Sequence, residues 1–461
     1  MNQIIPPPDR RRPVVMIPLL RDVFVRDLVQ TGFLAALTES YELRFFVSRY
    51  VTDRSFEPFA SAMRPLTLPG KWSDLAYDKV RRLNNLTKWE GYTGIISTDI
   101  LADLRRKQPD KILARVLNYR KLGLPQLIYP LGKAFLRYIW RKSDYDMGAD
   151  VDLILLPLSM RDFHIDGLTY WARKNAIPTL GLQMGLDNFS LKCFLEQPDY
   201  VAAWGDLSWY VLRLLEHYPT NKVRIVGAPR FEIYRDTPPS KQDARKRLNL
   251  DPDKKLILFC GGANMPNDQY LGLVRDAAAS GALPPNIQIL YKPHPAAMKP
   301  GSAGYVDLKE FACDVIRIVG NDHPSSWPKL ADYPVLLAAA DALISPYSTM
   351  SLEGAICGLP VLSLLDLEGA DNNWQAQYFI HMHIYFDRVW SRESSSTDTF
   401  LDSLHELVAL VGRPEVAALA RSTARQIAYW DEKSFSDRMI EFIGDIPHKT
   451  LSTEAQLTPI R

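Results

Sequence analysis

The sequence predicts an α/β protein: two doubly wound parallel sheets facing a central cleft, with a basic helical insertion in the first. Three observations carry this. Short apolar runs alternate with longer stretches of helical period along most of the 461 residues. The runs are continuously apolar, as in VDLILL and LILFC, which is the mark of strands covered on both faces. The alternation stops at a polar segment with a Pro-Pro pair and then restarts, so one α/β unit follows another.

The elements follow in order. Val14–Leu19 reads as a buried strand, Asp27–Ser40 as an amphipathic helix, and Glu42–Val47 as the next strand. Val151–Leu156, a helix over Asp166–Asn175, and strands Thr179–Gln183, Tyr200–Trp204 and Val223–Val226 complete the first half. Tyr234–Asp243 (YRDTPPSKQD) is the linker. Beyond it lie a helix over Ala244–Leu248 and strands Leu256–Cys260, Ile287–Tyr291, Val315–Ile318, Ala342–Ser345 and Pro360–Leu364. The closing helices, Asp402–Val411 and Glu415–Phe442, are expected to pack back across the linker. The expected domains are 1–235, with the insertion at about 73–142, then 236–445, then a flexible tail over 446–461.

Composition narrows the class. Hydrophobic residues make up 47% and charged residues 23%, which excludes a largely disordered chain. A net charge of +2 gives no global field to attract nucleic acid. Cys193, Cys260, Cys313 and Cys357 are far apart with no CxxC spacing, which argues against a disulfide framework or zinc site and fits a reducing compartment. No signal-peptide core opens the sequence, and no run of about 18 apolar residues occurs. The expected location is cytoplasmic. From Arg105 to Lys142 there are eleven Lys or Arg and one acid, Asp110, among aromatic and aliphatic residues. This stretch is either a solvated basic face or a peripheral contact with anionic headgroups at the inner face of the membrane.

In open parallel sheets, ligands bind beyond the carboxyl ends of the strands. Three loops there stand out. Gly261 and Gly262 follow LILFC and suit either a tight turn or backbone amides turned toward a phosphate. Lys292, His294 and Pro295 follow NIQIL, and prolines on both sides of His294 stiffen it as a phosphate donor. Ser348 and Thr349 follow ALIS at the start of a helix, where an anion is favoured or where a hydroxyl simply caps the helix. Glu353, on the first turns, is placed to accept from ribose hydroxyls or to balance the helix dipole.

The stretch ADALISPYSTMSLEGAICGLPVLSL, preceded by YKPHP, resembles the carboxyl-terminal half of GT-B enzymes of the capsule and teichoic-acid type. These include CDP-glycerol glycerophosphotransferases, bacterial sialyl- and Kdo-transferases and, more distantly, UDP-GlcNAc 2-epimerases. GLQMGLDNFSLK and VRIVGAPRFEIY are similar to segments of the amino-terminal half. The resemblance implies two Rossmann-like domains and a glycosyltransferase that moves a sugar or polyol phosphate from a nucleotide-activated donor. It also implies that His294, Pro295, Ser348 and Thr349 contact that donor. The acceptor would be a cell-surface polysaccharide or lipid-linked glycan. No DDG- or EDG-type motif occurs in the first half, which argues against a sialyl donor.

The acceptor's general base is expected after a strand of the first half. Asp187 comes first, from the family's Asp-Asn pair. His164 and Asp22 come next, and Asp162 and Arg21 lie in the same loops. Asp251-Pro252-Asp253 has DxD spacing but precedes its strand, so no metal and no cofactor beyond the donor is called for. A nucleotide-sugar 2-epimerase and a catalytically silent nucleotide-binding subunit are the competing readings.

Overall fold

The computed structural model describes residues 11–67, 70–85, 124–145, 148, 150–158, 162–186, 189, 194–235, 238–262, 265–297, 301, 305–311, 313–318, 329–346, 348–365 and 389–447. The first unit runs β1 (Val14–Leu19), α1 (Asp22–Val29), α2 (Phe33–Thr38), β2 (Glu42–Val47), β3 (Ala62–Pro65), α3 (Lys71–Asn85), α4 (Leu124–Trp140), β4 (Val151–Leu158), α5 (Phe163–Lys174), β5 (Thr179–Gln183), β6 (Tyr200–Ala203), α6 (Asp206–Leu215) and β7 (Val223–Ile225). The second runs α7 (Lys241–Arg247), β8 (Lys255–Cys260), α8 (Asn267–Ser280), β9 (Ile287–Lys292), β10 (Ile316–Ile318), α9 (Asp332–Ala339), β11 (Ala342–Pro346), α10 (Thr349–Ile356), β12 (Val361–Leu364), β13 (Ser391–Ser394), α11 (Phe400–Leu410), α12 (Pro414–Ile427) and α13 (Phe435–Asp445).

Both sheets are parallel throughout. The seven-stranded sheet has the order β3-β2-β1-β4-β5-β6-β7, and the six-stranded sheet β10-β9-β8-β11-β12-β13. Each therefore has one point where the winding reverses: between β1 and β4 in the first, between β8 and β11 in the second. Crevices for ligands form beyond the strands there. The central strands are buried along their whole length, as their continuous apolar runs require.

The helix expected over Asp27–Ser40 is two helices that begin earlier. Gly32, at φ +75°, breaks the chain between them. The helix expected over Glu415–Phe442 also splits. Ser434 caps α13 through a reciprocal box with Asp437, so a new helix starts there.

The last helix changes partner. Phe435, Met439, Phe442 and Ile443 join the core of the first domain, and the Phe435 ring lies 5.2 Å from that of Phe33. The segment leading to α13 passes very close to the first domain: the Tyr429 N–H donates to the Trp204 carbonyl at 2.8 Å. A Cβ on Gly227 would fall 2.1 Å from the Tyr429 carbonyl oxygen, and Gly227 has φ +80°. No other residue fits that crossing without displacement.

Of the basic stretch, only α4 and the two cations after it are described, because residues 86–123 lie outside the described residues. The mid-helix cations do not form an outer basic face. Arg137 Nε lies 2.5 Å from Glu196 Oε1 and Lys133 Nζ 3.6 Å from it, while Arg173 holds Oε2 at 2.6 Å. Glu196 is almost fully buried, so these cations turn inward to neutralise it.

Candidate functional site

At the second reversal point, β8 delivers Gly261 and Gly262. Their amides are already engaged: Gly261 N–H donates to the Lys292 carbonyl at 2.9 Å, and Gly262 N–H to Asn267 Oδ1 at 3.0 Å. The expected presentation of these amides to a phosphate is therefore not what the loop does. A Cβ on Gly261 would sit 2.5 Å from the Tyr291 hydroxyl, and one on Gly262 2.4 Å from Met265 Cγ. The glycines are there because nothing larger fits.

Lys292 ends β9 with 5% of its surface exposed. Its ammonium lies 5.2 Å from the centre of the Tyr333 ring, and among the described residues no carboxylate pairs with it. An ammonium withdrawn from water without a counter-charge is unfavourable until an anion arrives. His294 beside it is not a second cation. Burial, reinforced by the Lys292 charge, lowers its imidazole to about 4. At neutral pH it offers a neutral ring, so of the two side chains only Lys292 brings a positive charge. Pro295 opens a single turn, closed by Ala297 N–H donating to the His294 carbonyl at 2.8 Å.

Beyond β11, Ser348 is the N-cap of α10, its Oγ accepting from Met350 N–H at 3.2 Å. Thr349 is the first helical residue. Ser345 Oγ lies 2.8 Å from Ser351 Oγ, which fixes the strand end to the helix. Glu353 does not stand free for a ribose. It is 1% exposed. Arg230 Nη2 sits 2.8 Å from its Oε1, and the Tyr234 hydroxyl donates to its Oε2. Arg230 and Tyr234 belong to the turn Pro229–Tyr234 that follows β7, so the first domain reaches into the site of the second. Arg230 Nε, also buried, has no hydrogen-bond partner among the described residues, which costs about 1–3 kcal/mol until something fills it.

At the first reversal point, Arg21 follows β1 and Asp162 precedes α5. Asp162 caps α5, accepting from His164 N–H at 2.9 Å. Burial raises its carboxyl to about 6, against the pull of that amide and of Arg21, with Asp74 of α3 adding to the rise. His164 is 6% exposed. Its Nδ1 lies 3.2 Å from the Tyr145 hydroxyl, its Nε2 has no hydrogen-bond partner among the described residues, and burial lowers it to about 4. Asp22 is used up structurally. Its Oδ1 accepts from Thr52 N–H at 2.7 Å and Asp53 N–H at 2.9 Å, and its Oδ2 from Thr52 Oγ1 at 2.7 Å. That stapling gives it a structural role in holding the loop at Thr52 and Asp53. Asp187 lies outside the described residues.

No family model matches the sequence, and no curated protein matches it. Solved structures do match the chain's shape. An S. aureus MnaA co-structure with UDP has a TM-score of 0.54 at 12% identity, covering 94% of this chain and 96% of that one. A UDP-GlcNAc 2-epimerase from Neisseria meningitidis, bound to UDP-GlcNAc, has 0.52 at 11%, covering 94% and 99%. A glycosyltransferase from Rickettsia africae has 0.50 at 10%, covering 94% and 98%. The fold is GT-B.

Two reversal points facing one another make the GT-B cleft. On its second-domain side this GT-B chain gathers Lys292, His294, Ser348, Thr349 and Glu353, as the loops after the strands indicate. On the first-domain side, Asp162 and His164 are brought to the expected end of the sheet. Arg230 is not among the residues that the sequence singles out. The available signal was an arginine five residues after the strand Val223–Ile225, in the loop at the carboxyl end where ligands bind. Its partner Glu353 is far away in sequence and could not be read from it.

Proposed function

We propose that this GT-B protein transfers a glycosyl group from a nucleotide-diphosphate sugar to a hydroxyl of a polysaccharide or lipid-linked acceptor. The observation that carries this reading is Lys292, a buried ammonium with no carboxylate paired to it among the described residues, in the same half as the buried Glu353 of the Arg230–Glu353 pair. That combination suits a diphosphate and a ribose together. Lys292 and the N-terminus of α10 meet the phosphate charge. A ribose hydroxyl donates to Glu353 Oε1. The neutral His294 ring gives one further hydrogen bond. Uridine donors have support from two structural neighbours, one solved with UDP and one with UDP-GlcNAc.

Across the cleft, Asp162 takes the acceptor's proton as its oxygen attacks the anomeric carbon. A carboxyl near 6 is ionised at neutral pH and basic enough to accept it. The charge that develops on the departing diphosphate is met by Lys292, which gives the leaving group its stabilisation.

The 2-epimerases among the structural neighbours favour a second reading, an isomerase acting on the same donor. The helices α3 and α4 beside Asp162 favour the transferase, because an epimerase has no large acceptor to hold. Thermal-shift measurements with UDP, CDP, GDP and their sugars identify the donor. A ligand at 100 times its dissociation constant stabilises the fold by about 2.7 kcal/mol. Incubation with UDP-GlcNAc alone separates the readings, since C2 epimerisation without an acceptor overturns the transferase.

A further inference from the structure

Helix α4 has an unusual outer face. Its exposed positions are Gln126, Leu127, Pro130, Leu131, Ala134, Phe135 and Tyr138, followed by Arg141 and Lys142. Leu131 is 73% exposed and Phe135 53%. From Leu127 to Tyr138 the face is apolar over about three turns, roughly 16 Å. The inner face is fully occupied. Leu136 and Trp140 are buried, and Gly132 lies against Val80 of α3 so closely that a Cβ would fall 2.6 Å from it. The cations at 133 and 137 are the ones turned inward to Glu196. A soluble helix normally does the reverse, with its charges outward. Beside it, α3 exposes Trp72 and Leu75.

We propose that this outer face of α4 docks on an anionic lipid bilayer. Charge complementarity selects that occupant. No acid occurs from Leu124 to Lys142. The two charges that end the stripe, Arg141 and Lys142, are positive; Lys142 Nζ lies 4.4 Å from the centre of the Tyr138 ring, and Arg141 Nε donates to the Tyr170 hydroxyl at 2.8 Å. An apolar strip with an aromatic and two cations at its edge matches the acyl–headgroup boundary, apolar side chains below and ammonium groups among phosphates. No helix among the described residues is long and apolar enough to cross a membrane, so the contact is a surface one. Docking here brings the acceptor side of the cleft to the bilayer, because Asp74 in the first turns of α3 already acts on Asp162. The inference goes beyond glycosyl transfer and does not need it.

The test is co-sedimentation of the full chain with phosphatidylcholine vesicles and with vesicles containing about one third phosphatidylglycerol. The expected result is binding to the anionic vesicles, weakened by salt. The variant Leu131→Glu/Phe135→Glu should bind at least tenfold more weakly with an unchanged melting temperature. Arg141→Ala/Lys142→Ala should narrow the difference between the two vesicle types. Full recovery of the wild type in the supernatant with both vesicles overturns the proposal. So does a fall of several degrees in melting temperature for Leu131→Glu/Phe135→Glu, which would mean that the chain itself covers the face. A dimer dispersed by that variant, without vesicle binding, would assign the face to a second copy. Turnover on a soluble acceptor is read separately, so failure here leaves the transfer reading standing, and the converse holds.

Discussion

Arg230 Nη2 lies 2.8 Å from Glu353 Oε1, joining the turn after β7 of the first domain to α10 of the second. Both side chains are largely withdrawn from water. Glu353 and the turn's Tyr234 are 119 residues apart in sequence. The pair thus belongs to the interface between domains and to the proposed donor site at once.

Removing the cation should therefore be costly. Arg230→Ala leaves a buried carboxylate without its counter-charge, and loss of one partner of such a pair costs about 3–5 kcal/mol. Arg230→Met with Glu353→Gln should recover part of that loss. Urea unfolding midpoints measure both. A single variant within about 0.5 kcal/mol of wild type would show that the pair carries no stability.

Lys292 should matter more to nucleotide affinity than His294. A charge-assisted contact is worth about 1.5–3 kcal/mol and a neutral one about 0.5–1.5 kcal/mol. Titration calorimetry with the stabilising nucleotide should rank Lys292→Ala below His294→Ala, and only the former should flatten the salt dependence. The opposite order would place the phosphates elsewhere.

Asp162→Asn should lower kcat by about 10²–10⁴ with nucleotide affinity unchanged. In the wild type the base works only when ionised. Since burial raises its carboxyl to about 6, kcat/KM should fall as pH drops below that value. An acid limb at an ordinary carboxylate pH would remove Asp162 from the chemistry.

The two buried histidines set a stability trend of opposite origin. His164 and His294 stay neutral in the folded chain down to about 4, while unfolded histidines protonate near the ordinary value of about 6.5. The unfolded state then binds more protons, so each histidine makes stability fall as pH drops from about 6.5 to 4. Asp162 and Asp166, raised by burial to about 6 and about 7, oppose this over part of the same range. Thermal melts of His164→Gln should lose stability on acidification less steeply than wild type. A parallel pair of curves would contradict the assignment.

Turnover is expected to survive EDTA, because Lys292 and the α10 N-terminus supply the positive charge the leaving diphosphate needs. Activity lost in EDTA and restored by magnesium or manganese would show a metal acting in their place.

Strands β1, β2 and β5 were legible to the residue because continuous apolar runs have sharp ends. The polar strands β3 (AMRP) and β13 (SRES) were not, since each lies at a sheet edge where no second face demands hydrophobicity. The loops of the site were legible for the same reason as the strands before them. What each polar atom does was not. Gly261 spends its amide on the carbonyl of Lys292 in another strand, and Asp22 spends its carboxylate on a loop 30 residues away. The shifts of Asp162 and His294 come from burial, which only the assembled fold determines.

The return of α13 to the first domain means that two chain crossings join the halves, one near residues 235–241 and one near 428–434. Two tethers define a line. The rigid-body rotation that strains neither is a swing about that line, like a door on a pair of pins. Twisting or sliding of one half past the other would stretch a crossing or break the Tyr429–Trp204 bond at the second pin. The motion the two crossings leave is the opening and shutting of one half over the other, and the Arg230–Glu353 pair, in the turn just before the first crossing, ties the halves together beside that line.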